Sequence, residues 1–392
     1  MLALAGCTGS PSATASPTQP SESEHVVQSP APSARATPTG SLNVTWTLAP
    51  FSGDGPQTAF ATQDGWAALG DGAAWWSADG SGWEPGTVGQ ITAAPPFGTL
   101  DEWGTPHPVA ISRLGDAWYS VAAWIQLSDT VYPVVFKSAD GRDWQHEPST
   151  EYWGQFPTGL TSSGTHLIAS SADFAPGGGK VVTSSDGKAW TEHVADNGTA
   201  SIEGVFADAD GIIAVGFHGG PVPVTAVVWH SSDGQSWSET ALAGAPEYTV
   251  PLSITRGNDG RYVLLTSTSS AQTAPCSEIP CPPDTLGAWY SDDGETWHQA
   301  DVPNVELQRQ SPFESWVMPA ASGFAAFATT LDGPAAWSSI DGKKWEVLAL
   351  PDALSSTSFS TVAADGQTIV LFGSSDGGTE MVIGQVIAGP RT

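Results

Sequence analysis

The chain has 392 residues, of which 14% are charged, and 12 basic against 41 acidic side chains leave a formal net charge of −29. That balance argues against nucleic acid and anionic membrane surfaces as partners, since both repel an acidic protein. With 44 Gly and 18 Trp the composition suits short strands and tight turns, and the length exceeds one ordinary core but suits a single repeat domain.

The chain opens on Met1-Leu2-Ala3-Leu4-Ala5-Gly6-Cys7. Leu4-Ala5-Gly6-Cys7 resembles the lipobox of bacterial lipoproteins, in which the cysteine becomes the acylated first residue. A full signal carries a basic region and a longer apolar stretch upstream. Here the first basic residue is Arg35. Residues 1–7 are therefore read as a truncated lipoprotein signal with Cys7 as the lipidation site; the alternative is a stray cysteine. Residues 8–41, rich in Ser, Thr, Pro and Ala, read as a disordered tether. Together they predict an extracytoplasmic protein on a bacterial cell surface, touching the membrane only through its anchor. No later segment is long and apolar enough to span a bilayer.

The folded part, 42–392, begins with a lone strand, Asn43-Val44-Thr45-Trp46-Thr47-Leu48. A pattern of strand, Gly turn and apolar strand then recurs seven times, around Gly65, Gly115, Gly164, Gly211, Gly260, Gly323 and Gly366. About twenty residues after each of the first six comes S-x-D-G-x-x-W, starting at Ser77, Ser138, Ser184, Ser231, Ser291 and Ser339. Asp-Gly between two apolar runs is a strong hairpin signal, since Gly takes positive φ and Asp bonds its local backbone. The motif therefore reads as a fastener between antiparallel strands, with Trp as its anchor, and its Asp as turn chemistry rather than catalysis. Each unit is a four-stranded antiparallel meander of about 45–60 residues, a period that means propellers or arrays. The last unit runs out in its third strand, Thr379 to Ile387, and the lone strand 42–48 is left over. The economical fold is all-β: a seven-bladed β-propeller of four-stranded antiparallel blades, the N-terminal strand completing the last blade.

The fasteners resemble the Asp-box, or bacterial neuraminidase repeat, of sialidases, sortilin-type receptors, xyloglucan hydrolases and the photosystem II assembly factor. The resemblance covers about residues 42–390. It implies a propeller and is silent on activity. Sialidases of that family hold the substrate carboxylate with three arginines, the first in Arg-Ile-Pro, and use a Tyr–Glu nucleophile. No Arg-Ile-Pro occurs here, and the folded part has only Arg113, Arg142, Arg256, Arg261, Arg309 and Arg391. Sialidase activity is therefore not expected.

Four connections between units combine a Glu, aromatics and a Pro: Glu102-Trp103, Glu151-Tyr152-Trp153, Glu247-Tyr248 and Glu314-Ser315-Trp316. In a propeller they lie opposite the fasteners, around the channel mouth. Aromatics with carboxylates suit stacking on sugars or gripping a partner protein; the other reading is that Glu caps the incoming strand and the aromatic covers the blade end. The expected function is a binding or scaffold module for a protein or glycan, with Glu102, Trp103, Glu151, Tyr152, Trp153, Glu247, Tyr248, Glu314 and Trp316 as ligand-binding residues and none assigned as catalytic. The alternative is a glycoside hydrolase using two channel carboxylates. Cys276 and Cys281, close together in a Pro-rich loop, read as a disulfide in an exported protein. The eight His are scattered without metal-ligand spacing, so neither metal nor cofactor is expected, and the chain reads as a monomer.

Overall fold

The computed structural model describes residues 42–387 except 63, 93–98, 127–129, 150–155, 173–178, 194–199, 220–223, 270–282, 308–314, 356 and 376–377. The lipobox, the tether and the Cys276–Cys281 pair lie outside the described residues. Those described are almost all strand, with two three-residue 3-10 turns at Leu100–Glu102 and Asp352–Leu354.

Glycine sets where the strands turn. The hairpins between first and second strands each carry one at positive φ, from +59° at Gly115 to +154° at Gly211. Antiparallel pairing then joins the strands into six meanders spanning 58–88, 107–147, 156–193, 200–241, 249–299 and 315–347. A seventh runs Ser358–Ala364, Thr368–Ser375 and Gly378–Ile387. Its outer strand is Asn43–Ala49, with Asn43 opposite Ile387 and Ala49 opposite Met381.

The innermost strands meet their neighbours in succession, and Ser358–Ala364 of the seventh meander returns to Thr58–Thr62 of the first. The described strands thus form a closed circle around an axis, a β-propeller. Every junction between successive meanders buries its own apolar cluster. At the closing junction Trp66 packs with Ala363, Val370, Phe372 and Met381. Burial is therefore distributed around the ring, each sheet covered on both faces by its neighbours.

Five inner strands contain a β-bulge, at Val109, Thr158, Glu203, Leu252 and Ser360. At three of them the residue before the bulge is proline, Pro108, Pro157 or Pro251, which has no N–H to give to a ladder. The sheets also depart from separate blades. The outer strand Glu84–Val88 runs parallel to Asp143–Glu147 of the next meander, through Thr87 N to Arg142 O at 3.0 Å and Gly89 N to Trp144 O at 2.7 Å. A short extra strand, Glu306–Leu307, ties Asp284–Thr285 of the fifth meander to Thr330 of the sixth.

Candidate functional site

One end of the ring carries the fasteners, and their geometry repeats closely. The Ser Oγ accepts the glycine N–H at 2.9 Å (Ser77, Ser138) or 2.8 Å (Ser184, Ser231, Ser291, Ser339). The Asp Oδ1 accepts the next two or three donors, as at Asp233 from Gln235 N and Ser236 N, both 2.8 Å. Five of the tryptophans, Trp83, Trp144, Trp190, Trp297 and Trp345, donate Nε1 back to the motif glycine's carbonyl at 3.0–3.2 Å. These aspartates hold turns. Backbone donors keep Asp233 and Asp293 at about 2, below the usual carboxylate range, Ser236 N–H leading for the first and Thr296 N–H for the second.

The opposite end carries the connections between meanders, and two of the four predicted Glu-aromatic groups are described there in full. Glu102 ends the Leu100–Glu102 turn, and its Oε2 accepts both Thr99 N at 3.1 Å and Gln126 Nε2 at 2.8 Å. Trp103 is 8% exposed and stacks obliquely on Trp124, ring centroids 5.0 Å apart, with Tyr132 edge-on. Glu102 thus caps the turn and Trp103 packs over the blade end. Glu247 and Tyr248 differ. Glu247 is exposed, and Tyr248 is half-buried at φ +66°, the one non-glycine residue with positive φ among those described. Its backbone is pinned on both sides, Tyr248 N to Val224 O at 3.3 Å and Ser269 N to Tyr248 O at 3.2 Å. Trp316 lies on the inner strand Ser315–Ala320 and meets Phe359 of the seventh meander edge-on at 6.2 Å. Glu151, Tyr152, Trp153 and Glu314 lie outside the described residues.

An acid that the motif reading passed over sits on the ring wall. Glu203 is the extra residue of the bulge in Ala200–Ala207 and the only acidic side chain the described inner strands carry. Burial pushes its carboxyl above the usual range, opposed by Ser201 Oγ, which donates to Oε1 at 2.6 Å. A lone Glu in the run Ala-Ser-Ile-Glu-Gly-Val-Phe-Ala was the available signal.

The described arginines are all engaged. Arg113 pairs with Asp64, Arg142 with Glu84 at 3.1 Å, Arg256 with Asp208 at 2.6 Å, and Arg261 with Asp292 at 2.6 Å. All four sit beside fasteners or first hairpin turns, away from the mouth. The described residues therefore assemble no arginine cluster for a sialic-acid carboxylate.

On the mouth end a cleft of about 640 Å³ opens between Glu306, the Leu331–Asp332 hairpin and the 347–355 connection. Its rim carries Asp332, Asp352 and the exposed Leu331 and Val347, and none of the predicted ligand-binding residues lines it.

No protein-family model matches the chain, and no curated protein matches it in sequence. Solved structures do. The chain is similar to the GH74 xyloglucanase from Xanthomonas campestris at 17% identity and TM-score 0.54, over 84% of this chain and 52% of that one. It thus spans about half the length of that enzyme. It is similar to YCF48 bound to D1 peptide at 13% identity and TM-score 0.52, over 88% of this chain and 97% of that one. A third similarity is to the polysaccharide lyase PL25, an ulvan lyase, at 11% identity and TM-score 0.52, over 82% and 90%. At such identities the likeness bears on fold alone, and the fold is a propeller.

Proposed function

We propose that this chain is a surface-tethered, seven-bladed Asp-box propeller that binds a protein or glycan at its channel mouth, without itself turning the ligand over. The observation that carries the reading is Tyr248. A bulky residue held at positive φ costs of the order of 1–3 kcal/mol, and such strain clusters at ligand clamps. Here hydrogen bonds on both sides hold the residue beside exposed Glu247, at the mouth-end start of the inner strand Thr249–Arg256. A neighbour of matching length, YCF48 bound to D1 peptide, supports a peptide-like partner. The reading includes a lipid on Cys7 and a Cys276–Cys281 disulfide, checked by membrane fractionation of Cys7→Ser and by intact mass before and after reduction.

Tyr248→Gly is the test. It removes the ring and relieves the backbone, so the expected outcome is an unchanged or higher melting temperature with loss of partner recovered from envelope extracts by pull-down. Equal recovery by variant and wild type would sink the proposal.

Glu203 favours one other reading. Burial raises the Glu203 carboxyl, the direction of shift that a general acid of glycoside cleavage needs, and both the xyloglucanase and the lyase act on polysaccharides. This reading predicts reducing-sugar release from a soluble β-glucan panel that Glu203→Gln abolishes. A wild-type protein that releases no sugar removes it.

A further inference from the structure

At the fastener end, successive meanders meet through one repeated contact. At three of the five junctions between consecutive fasteners, the residue just before the fastener serine touches the fastener of the following meander. Where the first meets the second, the Arg142 guanidinium lies 3.9 Å over the Trp76 ring. Where the second meets the third, Lys137 covers Tyr119 at 5.1 Å, the Tyr119 hydroxyl donates to Asp186 O at 3.3 Å, and Lys188 pairs with Glu147 at 3.2 Å. His230 faces Glu295 at 3.9 Å at the fourth-to-fifth junction, and Lys343 lies 5.1 Å over Tyr290 at the fifth-to-sixth. The third-to-fourth junction breaks the series. Its residues are Thr183 and Gln235, one short and the other uncharged, and a cleft of about 590 Å³ remains between them. The fourth fastener is irregular in a second way: Trp237 Nε1 is buried without a partner, where its five counterparts bond the motif glycine.

The lining states what would fit. His166, His193, Gln235, Thr183 and neighbouring Ser and Thr hydroxyls both donate and accept, while Ile168 and Ile212 supply apolar surface. No Lys or Arg lines it, and Asp208 and Asp233 are its ionic groups. With Asp208 already paired to Arg256, the lining offers an anion no cationic partner. Burial lowers the His193 pKa, opposed by Asp233, and Nε2 sits 2.9 Å from Thr183 Oγ1. A cleft within the usual size of ligand pockets, rich in two-way hydrogen-bonding groups with apolar walls and no cation, suits a ligand with many hydroxyls on a C–H face.

We infer that the cleft between the third and fourth meanders, lined by His166, His193, Thr183 and Gln235, is a binding site for a neutral carbohydrate. It lies at the end opposite Tyr248 and is independent of the mouth.

The test fills the cleft as a sister junction fills it. Thr183→Trp with Gln235→Arg installs the pair that Trp76 and Arg142 form. Both proteins are applied to an array of neutral di- and trisaccharides (cellobiose, maltotriose, mannobiose, N,N′-diacetylchitobiose) beside uronate and sialylated ones. Wild type is expected to bind at least one neutral sugar, and the double variant to bind it about tenfold more weakly or less, with no fall in melting temperature. Should the double variant fold poorly, His193→Ala with Gln235→Ala carries the same expectation. Tyr248→Gly leaves this binding unchanged, which separates its failure from failure at the mouth. An array silent for neutral sugars, preference for the anionic ones, or affinity indifferent to both cleft variants overturns the inference.

Discussion

Each fastener aspartate has one carboxylate oxygen already occupied by main-chain donors, and at several of them the gain in acidity has a consequence for stability. Asp233 and Asp293 are held at about 2, and the same kind of donors lowers Asp79 and Asp186, led by Ser81 N–H and Lys188 N–H. An unfolded Asp titrates near about 4. A folded value below the unfolded one stabilises the native state above the unfolded value, and this is lost as pH falls through the folded one. The melting temperature should therefore drop between about pH 4 and pH 2. In Asp233→Asn with Asp293→Asn it should start lower at neutral pH and fall less steeply over that window, read by calorimetry; parallel curves would refute the assignment. The turn role was legible in the sequence because it depends only on neighbours in the chain. The role of Trp103 was not. Residue type offers the same aromatic whether it faces a ligand or, as here, Trp124 and Tyr132, and that choice belongs to the loop's angle. Glu203 escaped for the opposite reason: it belongs to no motif, and only the bulge at Ile202/Gly204 marks its position in the strand.

At the level of strands, Gly turns and Asp-Gly fasteners mark both hairpins of a meander, so the antiparallel order is legible in the sequence itself. What escaped are the contacts between units. The parallel seam from Thr87 to Asp143 needs Gly86, where any Cβ would strike the Arg142 carbonyl, yet a glycine in a strand signals close approach without naming the partner. Glu306–Leu307 is two residues long and bonds two different meanders; no periodicity can be measured over so short a run. The third-to-fourth cleft is of the same kind. Thr183 and Gln235 are ordinary residues singly, and the site is visible only when they are set against Trp76–Arg142 and Tyr290–Lys343 in the equivalent places.

For the whole molecule, the decisive contact is the one between the two ends of the described chain. Gly378–Ile387 would otherwise present a ten-residue edge, long enough to recruit other chains. Asn43–Ala49 covers it, and its side chains also reach the sixth meander's side. Trp46 Nε1 donates to Ala349 O at 2.9 Å, and Leu42 joins the cluster of Phe327, Phe359 and Leu371. The strand lies flat because Gly384 leaves room for the Trp46 ring, which a Cβ there would strike. Gly384→Val should therefore destabilise the ring by about 1–3 kcal/mol, the usual range for overpacking. Trp46→Ala in the same chain should recover part of that loss, because the two positions are in contact and their effects cannot simply add. Starting the chain at Phe51 should go further, exposing the edge and driving association, and a peptide of residues 42–50 supplied in trans should restore both melting temperature and monomer. Light scattering and calorimetry read these outcomes together. A truncated chain that stays monomeric with an unaltered melting temperature would mean that the ring does not depend on its N-terminal strand.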